Sequence, residues 1–381
     1  MNFELSEDQV MLRDLVRDFA EKEIAPKIGT LEDKHEFPKA IIGQLAEIGV
    51  LGMTVPPEFG GSRTDFLSYI LALEELARVS ATVCVIVSVH DSLFCGSILK
   101  FGSDFQKQKY LPRAARGEIL GAFSLTEPGA GSDAMNLKTK AVRSGDEYVL
   151  NGTKAWVTSG GEADALIIIA LTGAETGAPK ASAFIVDKGT PGLKVARIED
   201  KMGLHSSPTA MLTLEDCRVP VQNRLADEGR GAAIALAGLD SSRIGVAAQA
   251  VGLSQQALEL AVAYSKQREA FGKKLAEFQA LQFMMADIAT LLEAGRLLTY
   301  RAAELLERGK SITKEAAMAK LFTSEAANKI AYMALQIHGG YGYSKEYLIE
   351  RLYRDARIFS IYEGTSEIQR LVIARKLLKE S

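Results

Sequence analysis

The sequence predicts an α+β chain in three parts, helices followed by a β domain followed by helices, and three observations carry that reading. All ten prolines lie at or before Pro220, five of them between residues 121 and 220, and the last 161 residues carry none. Proline costs about 3 kcal/mol inside a helix, so this final stretch, rich in Ala, Leu, Glu and Lys, reads as a long helical domain. The proline-bearing middle holds short apolar runs bounded by Gly, Pro or Asp, the pattern of strands and turns. The first 120 residues space their apolar positions as helices do. The parts run 1–120, 121–230 and 231–381, and a 381-residue chain is long enough to need more than one core.

Taken in order, Ser6-Glu7-Asp8-Gln9 resembles a capping box. It opens a helix with Val10, Leu12, Leu15, Val16 and Phe19 at core spacing. The most apolar stretch, Val79 to Val89, is about half the roughly 20 residues a bilayer needs and is expected as a buried helix. In the middle part, Tyr148-Val149-Leu150 and Lys154-Ala155-Trp156-Val157 flank Asn151-Gly152, which predicts a tight hairpin. Further strands are expected over 165–172, 183–186, 193–198 and 209–214. The last part reads as helices over 231–265, 278–308 and 313–337, with Thr313 as the cap of the third and Gly339-Gly340 as its stop.

Composition narrows the function. Apolar residues make up 47% and charged residues 24%, the balance of a globular protein with no membrane insertion. A net charge of −3 without a long basic run gives nucleic-acid binding little support. Cys84, Cys95 and Cys217 are far apart, which yields neither a disulfide framework nor a zinc site. The start, Met1-Asn2-Phe3-Glu4, lacks the charged and apolar regions of a signal peptide, so a cytoplasmic chain is expected. The four histidines (His35, His90, His205, His338) are scattered, and no metal cluster or Ser-His-Asp triad is expected.

Several segments carry chemistry-bearing residues, each with a plain structural reading beside it. Phe123 to Asp133 (FSLTEPGAGSD) places glycines among Ser and Thr, letting backbone amides approach a polar ligand, or it is a surface turn. Its G-x-G-x-x-A grazes a dinucleotide fingerprint but precedes a strand-like run, so a Rossmann site is rejected. Trp156, the only tryptophan, sits at a strand end, usually a core position. Arg243 follows Leu239-Asp240-Ser241-Ser242, and Arg268 lies near Phe271; an Arg beside an aromatic suits a phosphate or a flat ring, or simply forms an ion pair. His338 reads as a satisfied histidine near a helix end. Glu363 precedes Gly364 just outside a final helix capped by Thr365, a placement that suits a carboxylate projecting into a cleft or a solvated one.

Together these segments resemble the acyl-CoA dehydrogenase family across essentially the whole chain. The matches are LTEPGAGSD (125–133), WVTSGG (156–161), LDSSRIGVAAQAVG (239–252), QREAFGKKLAEFQA (267–280), QIHGGYGY (336–343) and YEGTSEIQR (362–370). The resemblance is to the short- and medium-chain branch. It implies an N-terminal helical domain, a middle β-barrel or sandwich and a C-terminal four-helix bundle. It implies FAD as cofactor, held by Phe123, Leu125, Thr126, Gly131, Ser132, Trp156 and Thr158, with Thr126 and Thr158 on the edge of the ring. Arg268, Gln279, Gln336, Gly339 and Gly340 would meet the FAD of a neighbouring subunit, Phe271 is implied as a further FAD contact, and Thr365 and Glu367 would meet FAD from the last helix. Ser132, Asp240, Arg243, Gly364 and Arg375 would touch the acyl-CoA. A homotetramer and transfer of electrons to an electron-transfer flavoprotein are implied as well.

The implied reaction is α,β-dehydrogenation of an acyl-CoA thioester, Glu363 taking the α-proton while the β-hydride goes to flavin N5. Burial would raise the pKa of such a base. In the family the backbone N–H of the Glu and a flavin ribityl hydroxyl stabilise the thioester oxygen. One residue departs from a plain aliphatic enzyme: Asp91, in the apolar run Val85 to Phe94, on the segment that resembles the family's floor of the acyl pocket. It reads as a helix-end Asp, as a partner of His90, or as a second carboxylate at the far wall. The last reading resembles family members acting on alicyclic thioesters of the cyclohexanecarboxyl-CoA type. Because Glu363 is present, ordinary dehydrogenation of a short, branched or alicyclic acyl group is favoured over dehydrogenation of a cyclohex-1-ene-1-carboxyl-CoA type. The competing reading from another class is a catalytically silent CoA-binding assembly protein.

Overall fold

A computed structural model describes residues 4–173 and 178–380, so the first three residues of the N-terminal tetrapeptide lie outside the described residues. The N-terminal part holds α1 (Glu7–Phe19), α2 (Ala25–Lys34), α3 (Lys39–Glu47), α4 (Phe66–Val79), α5 (Ala81–Ser88), α6 (Gly96–Phe101) and α7 (Asp104–Ala115). Ser6 caps α1 reciprocally: its hydroxyl accepts the Gln9 N–H at 3.2 Å, and Gln9 Oε1 accepts the Ser6 N–H at 2.9 Å. A π-helical turn, Val89–Cys95, joins α5 to α6 without a break. The apolar helical run therefore spans Ala81–Phe101, 21 residues, longer than the sequence suggested and long enough by length and composition to cross a membrane. It is a core element here, 89% of its most apolar window being buried in the fold.

The middle part comprises β1 (Gly121–Ser124), β2 (Lys140–Ser144), β3 (Glu147–Thr158), β4 (Ala165–Thr172), β5 (Lys180–Asp187), β6 (Leu193–Ile198), β7 (Thr209–Pro220) and β8 (Arg224–Leu225). They form one sheet in the order β6-β7-β3-β2-β4-β5-β8, with β1 parallel to β4. The expected hairpin at Asn151-Gly152 is not a turn. Those residues lie inside β3, where the register against β7 slips between Leu150 and Gly152. The Asn151 amide instead pairs with Asp216, accepting its N–H at 2.8 Å and donating to its Oδ1 at 3.1 Å. Gly152 takes φ 154°, and any Cβ there would sit 2.5 Å from Thr139 Oγ1, so glycine serves a bulge and a close packing contact. The hairpin turn is at Gly145-Asp146, where Ser144 pairs with Glu147 and Gly145 has φ 63°.

The C-terminal part holds α8 (Gly231–Gln267), a two-residue ladder of β9 (Glu269–Ala270) with β10 (Lys273–Lys274), then α9 (Gln279–Glu307), α10 (Thr313–His338), α11 (Leu348–Ala356) and α12 (Ser366–Glu380). Four of these helices, α8, α9, α10 and α12, make the bundle. Thr313 does not cap α10: it is the first helical residue, and its hydroxyl donates to Asp240 Oδ2 at 2.7 Å. Gly339 ends the helix at φ 59°, as expected.

Helix α8 crosses α4 and α5 closely because Gly245 and Gly252 lie at the contact, while Gly238, seven residues earlier, faces Leu93 and Ser97. A methyl group at Gly252 would lie 2.2 Å from the Glu74 carbonyl oxygen, and one at Gly245 would lie 2.7 Å from Ser88 Oγ. Buried charges also tie the two helical parts together. Arg296 of α9 meets Glu74 of α4 at 2.9 Å, and the Tyr300 hydroxyl donates to the same carboxylate at 2.7 Å. This packing sets the first third of α8, which carries residues 240–243, against the segment that precedes α12.

Candidate active site

The site is built on the segment Tyr362-Glu363-Gly364-Thr365 between α11 and α12. Glu363 has φ 54° and Gly364 φ 91°. A non-glycine residue in the left-handed region is costly and persists only where its surroundings hold it, most often at functional sites. Here the surroundings are visible. Lys320 Nζ donates to the Gly364 carbonyl at 2.8 Å. The Gln369 amide donates to the carbonyls of Glu363 and Gly364 at 3.1 and 2.9 Å. Arg243 Nε donates to the Glu363 carbonyl at 3.4 Å. On the other side, the Tyr362 hydroxyl donates to Gln249 Oε1, and Gln249 Nε2 donates to the Ala81 carbonyl at 2.6 Å.

The carboxyl group so positioned is unusual. Glu363 keeps some access as a residue, yet its Oε2 is shut off from solvent and has no hydrogen-bond partner. The atom-level enclosure matters more for its chemistry than the exposure of the residue as a whole. Burial raises its pKa above the ordinary glutamate range, and Arg243, a hydrogen bond from Ser242, and Lys320 restrain the rise. A desolvated carboxylate with a free oxygen is suited to taking a proton from carbon.

The loop Leu125–Gly131 and the end of β3 form a second cluster. The Ala155 N–H donates to the Thr126 carbonyl at 2.9 Å, which joins the two segments. Lys154, fully buried, donates to the Leu125 carbonyl at 3.0 Å and to Glu127 Oε1 at 2.8 Å. Glu127 also accepts the N–H groups of Lys138 and Thr139 at 2.6 and 3.1 Å. Burial alone would raise the Glu127 pKa; the bonds from Lys154 and Thr139 bring it below the ordinary range, so the pair is ionic. On this frame sit Trp156 at φ 57° and Ser159 at φ 58°, on either side of Thr158. Trp156 is 59% exposed, not core as its strand-end position suggested. The buried hydroxyls of Ser124 and Ser159 have no partner, and the space beside Gly129 and Gly131 is open. Orphan hydroxyls, an exposed aromatic face and a glycine cradle fit a flat, polar-edged cofactor such as a flavin. Ser132 lies exposed at the rim.

A third cluster shares no residue with these two. Arg268, Gln336, Gly339 and Gly340 line a cleft of about 600 Å³ with Tyr264, Leu281 and Tyr341. The Arg268 guanidinium rests over the Tyr341 ring, 5.4 Å from its centre. Phe271, at φ 53°, is 96% exposed, and Gln279 opens α9 on the surface. His338 is structural, its Nδ1 bonded to the Ala334 carbonyl at 2.7 Å and its ring stacked on Tyr264.

The remaining residues divide as follows. Thr365 caps α12, accepting the Ile368 N–H at 3.4 Å, and its side chain also bonds Glu367, helping to hold that carboxyl below its usual pKa. Asp240 and Arg243 pair with each other at 3.0 Å, and Arg243 points inward at Glu363, so its guanidinium supports the carboxylate segment. Arg375 is exposed on α12. Sequence reasoning missed Ser242, Gln249, Lys320 and Gln369. Lys320 had a legible signal: a lysine at helical spacing among Ala316, Ala317, Thr323, Ser324 and Ala327, all buried.

Asp91 is fully buried in the π-helical turn, and neither carboxyl oxygen has a partner. It is not at a helix end, and it is not paired with His90. The His90 ring is committed elsewhere: Nδ1 accepts the Gly121 N–H at 2.9 Å and Nε2 faces the Ala114 carbonyl at 3.3 Å. Burial raises the Asp91 pKa well above its usual value and lowers that of His90 to about 4. His90, Asp91 and Cys95 offer ligand atoms within 4.8 Å of one another, but both imidazole nitrogens already have main-chain partners, so a metal there would have to displace at least one of those bonds.

Comparison with known proteins agrees along the whole chain. The acyl-CoA dehydrogenase N-terminal, middle and C-terminal domains match residues 6–118, 122–217 and 229–378. The chain is 50% identical to the mitochondrial short-chain specific acyl-CoA dehydrogenase of Mus musculus over 99% of its length and 91% of that protein's. It is 47% identical to the caffeyl-CoA reductase-Etf complex subunit CarC of Acetobacterium woodii, covering 98% and 99%. Its fold superimposes on the butyryl-CoA dehydrogenase of Megasphaera elsdenii with a TM-score of 0.96 at 44% identity, covering 99% and 100%.

Proposed function

The chain belongs to the acyl-CoA dehydrogenase family, a family of FAD-dependent oxidoreductases, and on that premise we propose that it desaturates a short acyl-CoA thioester with Glu363 as the base. The observation that carries this reading is the buried, unpartnered Oε2 of Glu363 on a segment held in left-handed backbone. The α-proton beside a thioester carbonyl is only weakly acidic, so its removal needs a positioned, desolvated carboxylate. FAD, when bound, supplies the acceptor for the hydride leaving the β-carbon. Glu363 gains the α-proton, the two electrons depart with the β-hydride, and an α,β-unsaturated thioester remains. The Glu363 backbone N–H would offset charge developing on the thioester oxygen.

The flavin is assigned to Thr126, Trp156, Thr158 and the loop Leu125–Ser132. Arg268, Phe271, Gln279, Gln336, Gly339 and Gly340 are assigned to the flavin of a neighbouring subunit in a homotetramer. The bare Phe271 ring, 96% exposed, supports that division. An electron-transfer flavoprotein is the proposed electron acceptor, supported by the likeness to a subunit named for its complex with Etf.

The acyl group is proposed to be short, branched or alicyclic. The names of the mouse and Megasphaera proteins support the short limit. The unpaired Asp91 supports a polar far wall that an alicyclic ring would meet. Anaerobic titration of the holoprotein with butyryl-, isobutyryl- and cyclohexanecarboxyl-CoA tests the assignment. Bleaching of the flavin band by at least one of them is expected; a flavin-loaded protein bleached by none would refute the reading.

A further inference from the structure

We propose that Lys320 is a positioning residue for the base, holding the Glu363–Gly364 segment through its bond to the Gly364 carbonyl and keeping a cation beside the carboxylate. The inference rests on the assignment of Glu363 as the base. Lys320 lies on the inward face of α10 and is 0% exposed. A lysine is almost never fully buried without a use for its charge. Its ammonium donates to one main-chain carbonyl, that of Gly364, at 2.8 Å. That carbonyl belongs to the residue that follows Glu363, at φ 91°, so the bond fixes the turn that aims the carboxylate. Gln369 Nε2 of α12 donates to the same carbonyl at 2.9 Å, so the turn is held from α10 and α12 together.

The charges around the pair define what Lys320 does electrically. Glu363 is faced by Arg243 from α8 and by Lys320 from α10, with Ser242 of α8 bonded to its carboxyl. Lys320 is faced by Glu363, by Arg243, by Glu367 at the start of α12 and by Glu325 of its own helix. Burial, with Arg243, lowers the Lys320 pKa to about 8, and the three carboxylates restrain the fall, so the ammonium stays charged at neutral pH. Arg243 is shared with Asp240 at 3.0 Å, whereas Lys320 has no acidic side chain in ion-pair contact among the described residues. Lys320 is therefore the second cation, after Arg243, that favours the ionised base. Without it, the carboxylate would be harder to ionise and freer to swing.

The test uses flavin-loaded Lys320→Gln and Lys320→Met, with Glu363→Gln as the reference, and follows kcat and KM for butyryl-CoA from pH 5.5 to 9. Lys320→Gln keeps a donor for the Gly364 carbonyl and loses the charge. The acid limb of its kcat profile is expected to move up by about 1 pH unit, with the plateau within about threefold of the parent. Lys320→Met loses both, and its plateau kcat is expected to fall about tenfold or more with KM nearly unchanged and flavin content at the parent level. Parental profiles in both variants would overturn the proposal. So would a joint loss of kcat, KM and flavin with the acid limb unmoved, which is the signature of a core residue. If Lys320→Met does not fold, Lys320→Gln decides alone, and failure of both to fold marks a structural role and overturns it too. Should Glu363→Gln retain activity, the base assignment itself fails, an outcome independent of what the Lys320 variants show.

Discussion

Replacing Asp91 by Asn removes a carboxyl group that the fold buries without a partner. Both oxygens are enclosed and unbonded, and burial raises the group's pKa well above the usual aspartate value. The folded chain thus binds this proton more tightly than the unfolded chain. The contribution is fully present below the unfolded pKa of about 4 and is lost as pH rises through the higher folded value. An unsatisfied buried polar group costs about 1–3 kcal/mol, and more when charged. The Asn amide is as buried and unpartnered but does not titrate, so Asp91→Asn is expected to lose less stability than the parent between pH 5 and pH 8. Urea unfolding of the holoprotein at the two pH values measures this. If the carboxyl is kept for the acyl group, the same variant loses about tenfold in kcat/KM for cyclohexanecarboxyl-CoA while butyryl-CoA is nearly unaffected. A variant that loses as much stability as the parent between pH 5 and pH 8 would refute the stability argument. Equal losses on the two substrates would refute the role at the pocket wall.

Lys154→Met strands the Glu127 carboxylate in the core beneath the Leu125–Gly131 loop, and breaking a buried pair in this way costs about 3–5 kcal/mol. Loss of flavin from the purified protein and a lowered unfolding midpoint are expected, both partly restored by adding Glu127→Gln. Asp355 accepts the Leu204 N–H at 2.8 Å, and burial together with Glu32 lifts its pKa to about 7. Stability from this group is complete below about pH 4 and lost as pH rises through about 7, so Asp355→Asn flattens a fall of at most about 4 kcal/mol in unfolding curves taken across that window. Phe271→Asp places a charge on the 96% exposed ring position of the β9–β10 tip; light scattering is expected to show a smaller assembly with weaker flavin retention.

Much of the architecture was legible because proline and periodicity report directly on backbone geometry. The strands over 165–172 and 193–198 followed from that alone. The failures share a cause: local signals cannot see the partner. Asn151-Gly152 reads as a turn in isolation, but β7 supplies Asp216 to complete a bulge. Thr313 reads as a cap until Asp240, 73 residues away, takes its hydroxyl. The site was visible mainly through segments with unusual glycines and a lone Trp or Glu. Its supports were not, since Gln249, Gln369 and Ser242 are ordinary residues whose role lies in where the fold sets them. Lys320 is the exception, a charge written into an apolar helical face.

The most direct test of the account is the rate of flavin bleaching by butyryl-CoA in Glu363→Gln, measured under anaerobic stopped flow with protio and α-deuterated substrate. Removal of a general base is expected to slow the step by roughly 10²–10⁴-fold, with flavin content and thioester binding retained and a primary isotope effect in the parent. A flavin-loaded Glu363→Gln that bleaches within about tenfold of the parent would contradict the claim that Glu363 takes the α-proton.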